Sequence, residues 1–177
     1  MQSFIKVENL TKSYGGLKAI EEITLEIRKG EILSLVGDNG AGKSTFVKTL
    51  AGAQLPDSGH IEIDGEDVRL DSPKKAGFYG IGCLHQGLGL IDTLNVPENV
   101  FLGRELQKKV LGIFPQLDYQ RMRTETRDLL NQFSIKLPKL NDAVVNLSGG
   151  QRQTIAISRL LLQKVKLVIR DEPMAAL

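Results

Sequence analysis

Ile32-Leu33-Ser34-Leu35-Val36, running directly into Gly37-Asp38-Asn39-Gly40-Ala41-Gly42-Lys43-Ser44-Thr45, is the stretch that decides the fold. The apolar run is nearly continuous, which suits a strand covered on both faces, as in a parallel sheet. The segment after it fits G-x-x-x-x-G-K-[ST], a loop whose backbone N–H groups converge on phosphate oxygens. Its glycines let the chain wrap that tightly. The spacing predicts a helix over 44–51, with its positive end facing the anion and Gly52 as its stop. In such a loop Lys43 reaches the β- and γ-phosphates, and the Ser44 hydroxyl ligates Mg²⁺. A buried strand before the loop and a helix after it separate this match from an ordinary glycine turn.

A second apolar run, Val165-Lys166-Leu167-Val168-Ile169, also reads as a covered strand and ends in Arg170-Asp171-Glu172-Pro173. Ligands of open α/β sheets gather beyond the carboxyl ends of the strands. Asp171 would hold Mg²⁺ there, directly or through water, and Glu172 would act on a water attacking the γ-phosphate. A solvated acidic turn is the plainer alternative. Leu147-Ser148-Gly149-Gly150-Gln151-Arg152-Gln153 opens another helix, predicted over 151–163, with Ser148 as its N-cap. Glycines at that start bare the backbone N–H groups and make a second anion site.

Around these motifs the chain alternates. Ile5 and Val7 flank Lys6, Ile23, Leu25 and Ile27 are separated by polar residues, and Ile61 and Ile63 flank Glu62. Period-two alternation predicts antiparallel strands with one wet face. From Asp118, an N-cap residue, Tyr119, Met122, Leu129, Leu130 and Phe133 fall mostly on one helical face, and Pro138 ends the region. Lys plus Arg number 23 and Asp plus Glu 21, so the formal charge of +2 argues against nucleic acid as the partner. No apolar stretch is long enough to span a bilayer, and the N-terminus lacks the core of a secretory signal, so a cytoplasmic location is expected. A single cysteine, Cys83, excludes an internal disulfide.

Taken together, the phosphate loop, Leu147-Ser148-Gly149-Gly150-Gln151 and the acidic strand end resemble the ATP-binding cassette (ABC) family over essentially the whole chain. The resemblance implies an α/β, P-loop NTPase core with an antiparallel β subdomain and an inserted helical subdomain over 88–147. It places 1–177 within a single, partial ATP-binding domain that stops just past the acidic motif, with C-terminal strands missing. ATP and Mg²⁺ are the implied cofactors. Gly37, Asp38, Asn39, Gly40, Ala41, Gly42, Lys43, Ser44 and Thr45 become the Walker A loop, and Tyr14 the aromatic that stacks on adenine. Gln86 becomes the glutamine near Mg²⁺ and the attacking water, and Asp171 and Glu172 complete Walker B. Ser148, Gly149 and Gly150 would contact the γ-phosphate of ATP held by a second cassette, which accounts for the second anion site.

Three further stretches, Gly37-Asp38-Asn39-Gly40, Ser72-Pro73-Lys74-Lys75-Ala76 and the run from Asp92 to Glu105, resemble the ATPases of monosaccharide importers. That resemblance implies an ATP-hydrolysing subunit that pairs with another cassette and drives membrane permease subunits, indirectly served by a sugar-binding protein. The chain would then lie on the inner face of the membrane through the permease. Two other readings stay open: a remnant that holds ATP without hydrolysing it, and a soluble non-transport ABC ATPase. Arg170, Met174 and His85 depart from the family's usual residues, and an unpaired buried guanidinium at Arg170 would be costly unless it snorkels to solvent.

Overall fold

The computed structural model describes residues 3–84, 88–110, 113–133, 135 and 139–170. They form two compact units: one runs to Cys83 and resumes at Val165, and the other is Leu84–Lys164.

The first unit is built on an antiparallel sheet. Strand β1 (Ser3–Tyr14) pairs with β2 (Leu17–Arg28) on one side and β3 (Ser58–Ile63) on the other, and β3 carries the short β4 (Glu66–Asp67). Register follows the alternation in the sequence. Ile5 faces Ile27 and Ile63, Val7 faces Leu25 and Ile61, and both central residues are fully buried. Lys6 lies between Glu26 and Glu62, so the wet face carries opposite charges in cross-strand pairs. Gly15 and Gly16 both take positive φ, as a two-residue hairpin connection requires.

Helix α1 (Lys43–Leu50) lays Phe46 and Leu50 into the same core. It stops at Gly52, whose φ is +70° and where a Cβ would stand 2.4 Å from the Ser72 carbonyl oxygen. Helix α2 (Pro73–Phe78) begins at Ser72, whose hydroxyl accepts from the Lys75 N–H. Strand β5 (Ile81–Leu84) pairs with the last described strand, Leu167–Arg170.

The strand expected at 32–36 does not form. Residues 31–38 lie outside any regular element, with Ile32 95 % and Val36 91 % exposed. An apolar run becomes a buried strand only where a neighbour supplies the hydrogen-bond ladder, and no described strand pairs with this one. The second expected strand forms at Leu167–Arg170 but is not covered on both faces. Leu167 and Ile169 pack on the core, while Val168 and Arg170 are exposed. Arg170 therefore meets no burial cost.

In the second unit, α3 (Val96–Val100) is followed by a hairpin of β6 (Gln107–Val110) and β7 (Phe114–Leu117). Helix α4 (Tyr119–Gln132) comes next, then a 3₁₀ turn at Val144–Asn146, then α5 (Gly149–Leu162). The strand Leu167–Arg170, in the first unit, is β8, the last element among the described residues. Val96, Val100, Phe101, Met122, Val144, Leu147 and Ile155 form this unit's core. Asp118 caps α4 as predicted, its carboxylate accepting from the Arg121 N–H. Met122 and Leu130 are buried and Leu129 packs beside them, whereas Phe133 is exposed past the helix end. Pro138 lies outside the described residues.

Candidate functional site

The phosphate loop owes its shape to Gly42. This residue is the N-cap of α1 in the left-handed region, φ +84°, and a Cβ on it would stand 2.1 Å from the Ala19 carbonyl oxygen. No other residue type fits that approach to β2. Because the cap has no side chain, no side chain among the described residues caps the first N–H groups of α1, where the helix's positive end lies. Gly40, at φ +88°, makes the preceding turn, which the Ala41 N–H closes on the Asp38 carbonyl.

Lys43 folds back over the loop. Its ammonium donates to the carbonyls of Gly37 at 2.6 Å and Asp38 at 2.7 Å. Two of the three ammonium donors are thus used on the loop's own carbonyls. Ser44 is exposed on the first turn, and Gly37, Asp38, Asn39, Gly40 and Ala41 are exposed around it. Thr45 is half-buried, and its carbonyl accepts from the Thr49 hydroxyl at 2.9 Å. The loop thus stands exposed, with the Lys43 ammonium bonded to its own carbonyls.

Tyr14 stands at the end of β1, 50 % exposed. Its hydroxyl bonds the side-chain oxygen of Gln54, and the Gln54 amide donates to Thr45 O at 2.9 Å and Thr49 Oγ1 at 3.1 Å. Gln54 thereby joins the aromatic to the last residue of the phosphate loop. The Lys12 ammonium sits over the Tyr14 ring, 5.9 Å from its centre, and is anchored to Asp57 Oδ1 at 2.7 Å. Asp57 also accepts from the Ser13 N–H at 2.7 Å. Hydrogen bonding from Lys12, and then from the Ser13 backbone, holds the Asp57 carboxyl below its usual range. Neither Gln54 nor Asp57 carried any sequence signal, because a bridging amide and a loop carboxylate have no period.

The second helix start is built differently. Ser148 caps α5: its hydroxyl accepts from the Gln151 N–H, and its own N–H donates to the Gln151 side chain at 2.9 Å. Ser148, Gly149 and Gly150 are all exposed. A Cβ at Gly149 or Gly150 would meet nothing within 4 Å, and neither takes a positive φ. This unit's fold does not need glycine at either position.

Two arginines of α5 hold the segment at 89–92. Arg159 donates to Asn99 O at 3.0 Å and to Gly89 O at 2.9 Å, and Arg152 pairs with Asp92. Burial pulls the Arg159 guanidinium below its ordinary value, which still leaves it charged. Asn99, fully buried, accepts from the Ile91 N–H and donates to the Ile91, Leu94 and Asn95 carbonyls. Of the remaining predicted residues, Gln86, Asp171 and Glu172 lie outside the described residues, as do His85 and Met174.

Comparison with known proteins places this geometry. The profile of the ABC transporter family matches residues 20–175. The chain is 40 % identical over 177 residues to a xylose/arabinose import ATP-binding protein of Sulfolobus acidocaldarius, covering 100 % of this chain and 68 % of that one. It is 38 % identical over 179 residues to a fructose import ATP-binding protein of Rhizobium meliloti, covering 99 % and 69 % respectively. Among solved structures it is similar to a dimeric ATP-binding cassette in a post-hydrolysis state with ADP and phosphate. There the TM-score is 0.71 at 27 % identity, covering 98 % of this chain and 75 % of that one. The fold and the ATP-binding assignment thus rest on both sequence and structure: the chain belongs to the ABC transporter family, as an ATPase cassette.

Proposed function

We propose that the chain is the ATP-hydrolysing subunit of an importer for simple sugars. One observation carries the nucleotide part: the start of α1 is left uncapped by a glycine that no other residue can replace, with the Lys43 ammonium beside it. The sugar part is supported by relatives named for xylose, arabinose and fructose import.

In this reading 37–45 binds the β- and γ-phosphates through the loop's N–H groups and Lys43, while Tyr14 takes the adenine. Among the described residues no group of three or more His, Cys, Asp or Glu forms a cage for an ion. Mg²⁺ is held by few protein ligands together with substrate phosphates. Ser44, Asp171 and Gln86 would hold it, and when bound it would neutralise charge on the phosphate oxygens. Glu172 orients or deprotonates the attacking water, a step in which the family resemblance also gives Gln86 a part. Ser148, Gly149 and Gly150 serve the ATP of a second cassette. Residues 88–147 act as the inserted helical subdomain that docks on the permease, so the chain works on the inner membrane face. No described helix is long and apolar enough to cross a membrane.

The test is Mg²⁺-dependent ATP hydrolysis measured over a range of protein concentrations. Specific activity should rise with concentration and vanish in Glu172→Gln, which should still bind ATP; turnover surviving in that variant would sink the assignment of Glu172. A second reading, ATP held without turnover, is favoured by residues 31–38, which enter the phosphate loop without the support of a sheet. A folded, ATP-bound chain with no turnover at any concentration would decide for it.

A further inference from the structure

We infer that Gln54 is a positioning residue for the nucleobase end of the site, setting the tilt of the Tyr14 ring from the helix that binds the phosphates. The inference rests on the reading that Tyr14 supports the base.

The hydrogen-bond inventory allows only one arrangement. The Thr45 carbonyl can only accept, so it takes a proton from the Gln54 amide. The Thr49 hydroxyl spends its proton on that same carbonyl, so it too accepts from the Gln54 amide. Thr49 is fully buried and cannot turn to water instead. Both amide protons of Gln54 are therefore committed to α1, and turning the amide over would set its oxygen against the Thr45 carbonyl. The Gln54 oxygen has to face Tyr14, and the Tyr14 hydroxyl has to donate to it.

This fixes the far end of the ring. The near end is fixed by Asp57, which takes the Ser13 N–H and holds the Lys12 ammonium over one ring face. The opposite face is the one left for stacking, at an angle set by Gln54. Because the amide is bonded to Thr45, base platform and phosphate loop are held at a fixed separation by one side chain.

The experiment is equilibrium binding to the full chain of two probes, ATP and inorganic tripolyphosphate, each with Mg²⁺. Four variants are compared with the parent: Gln54→Leu, Tyr14→Phe, the double variant, and Tyr14→Ala. Tyr14→Phe keeps every bond between Gln54 and α1, so it reports even where Gln54→Leu fails to fold. Losing the Tyr14–Gln54 hydrogen bond, which both single variants remove, should weaken ATP about three- to tenfold in each. The double variant should lose no more than either alone, and tripolyphosphate affinity should not change. The inference is overturned if the two single losses multiply, or if Gln54→Leu weakens both probes alike, which would mean it acts only through α1. It is also overturned if Tyr14→Ala weakens ATP while Tyr14→Phe does not. Should Tyr14→Ala leave ATP affinity untouched, the base-platform reading fails, and this inference with it.

Discussion

Helices α1 and α5 each start with glycines at an exposed turn, yet their first turns are finished in opposite ways. In α1 the cap is Gly42, its left-handed backbone pressed against Ala19, and no side chain covers the N–H groups. In α5 the cap is Ser148, closed reciprocally with Gln151, and a Cβ on either of its two glycines would meet nothing within 4 Å, with no positive φ at either. A glycine required by its own fold marks a site the chain builds for itself. A glycine the fold does not need marks room left for something that comes from outside. In the proposed function the first start serves the chain's own nucleotide, and the second serves the ATP of a partner cassette.

The largest effect should follow from Gly42→Ala. A methyl group 2.1 Å from a backbone oxygen has no flexible neighbour to yield, and the positive φ adds its own strain. We expect a loss of at least about 3 kcal/mol in denaturant unfolding, with ATP binding abolished in whatever remains folded. Unchanged stability would show that the loop does not depend on this contact, and the contrast between the two helix starts would collapse.

Lys43→Ala sharpens the same side of the contrast without touching the fold. Among the described residues the ammonium bonds only carbonyls of the exposed loop, so unfolding should barely change. ATP affinity should fall about ten- to a hundredfold, the worth of one or two charge-assisted bonds to phosphate. Full affinity in a folded variant would move the anion site elsewhere.

How far these features could be read beforehand depends on their range. The β1–β2–β3 sheet was legible because alternation is local and one face is buried, so register follows from Ile5, Val7, Ile61 and Ile63. Both helix starts were legible for the same reason: caps are decided by three or four neighbouring residues, and α1 and α5 begin close to where Lys43 and Ser148 place them. The run 32–36 misled because apolarity records a need for cover, not the presence of a neighbouring strand. The β6–β7 hairpin, with Phe114 exposed, lacks clean alternation, so Gly112 in its short connection was the one local signal and was not read. Gln54 and Arg159 act across the chain through hydrogen bonds to carbonyls, which leave no mark in any local pattern.

Ser148→Ala acts on the other helix start. It removes the hydroxyl that accepts from Gln151 and should cost about 1 kcal/mol in unfolding, as loss of a serine cap does. Phosphate affinity of the isolated chain should stay the same. A drop in it would mean that the α5 start already holds an anion without a partner.

The smallest effect on stability, and the most discriminating, is expected from Gly150→Ala. The added methyl meets nothing within 4 Å, and the residue lies inside α5 with helical geometry, so the variant should be more stable by about 0.5 kcal/mol. ATP affinity should be unchanged, because α1 and its loop are untouched. Turnover at high protein concentration should nevertheless fall, since the methyl would occupy the space through which a second cassette's phosphate approaches the bare N–H groups. A stabilised variant with normal binding and impaired turnover has no explanation within one chain. Normal turnover, in contrast, would mean that the glycine pair serves no close approach, and the α5 start would then be an ordinary capped helix.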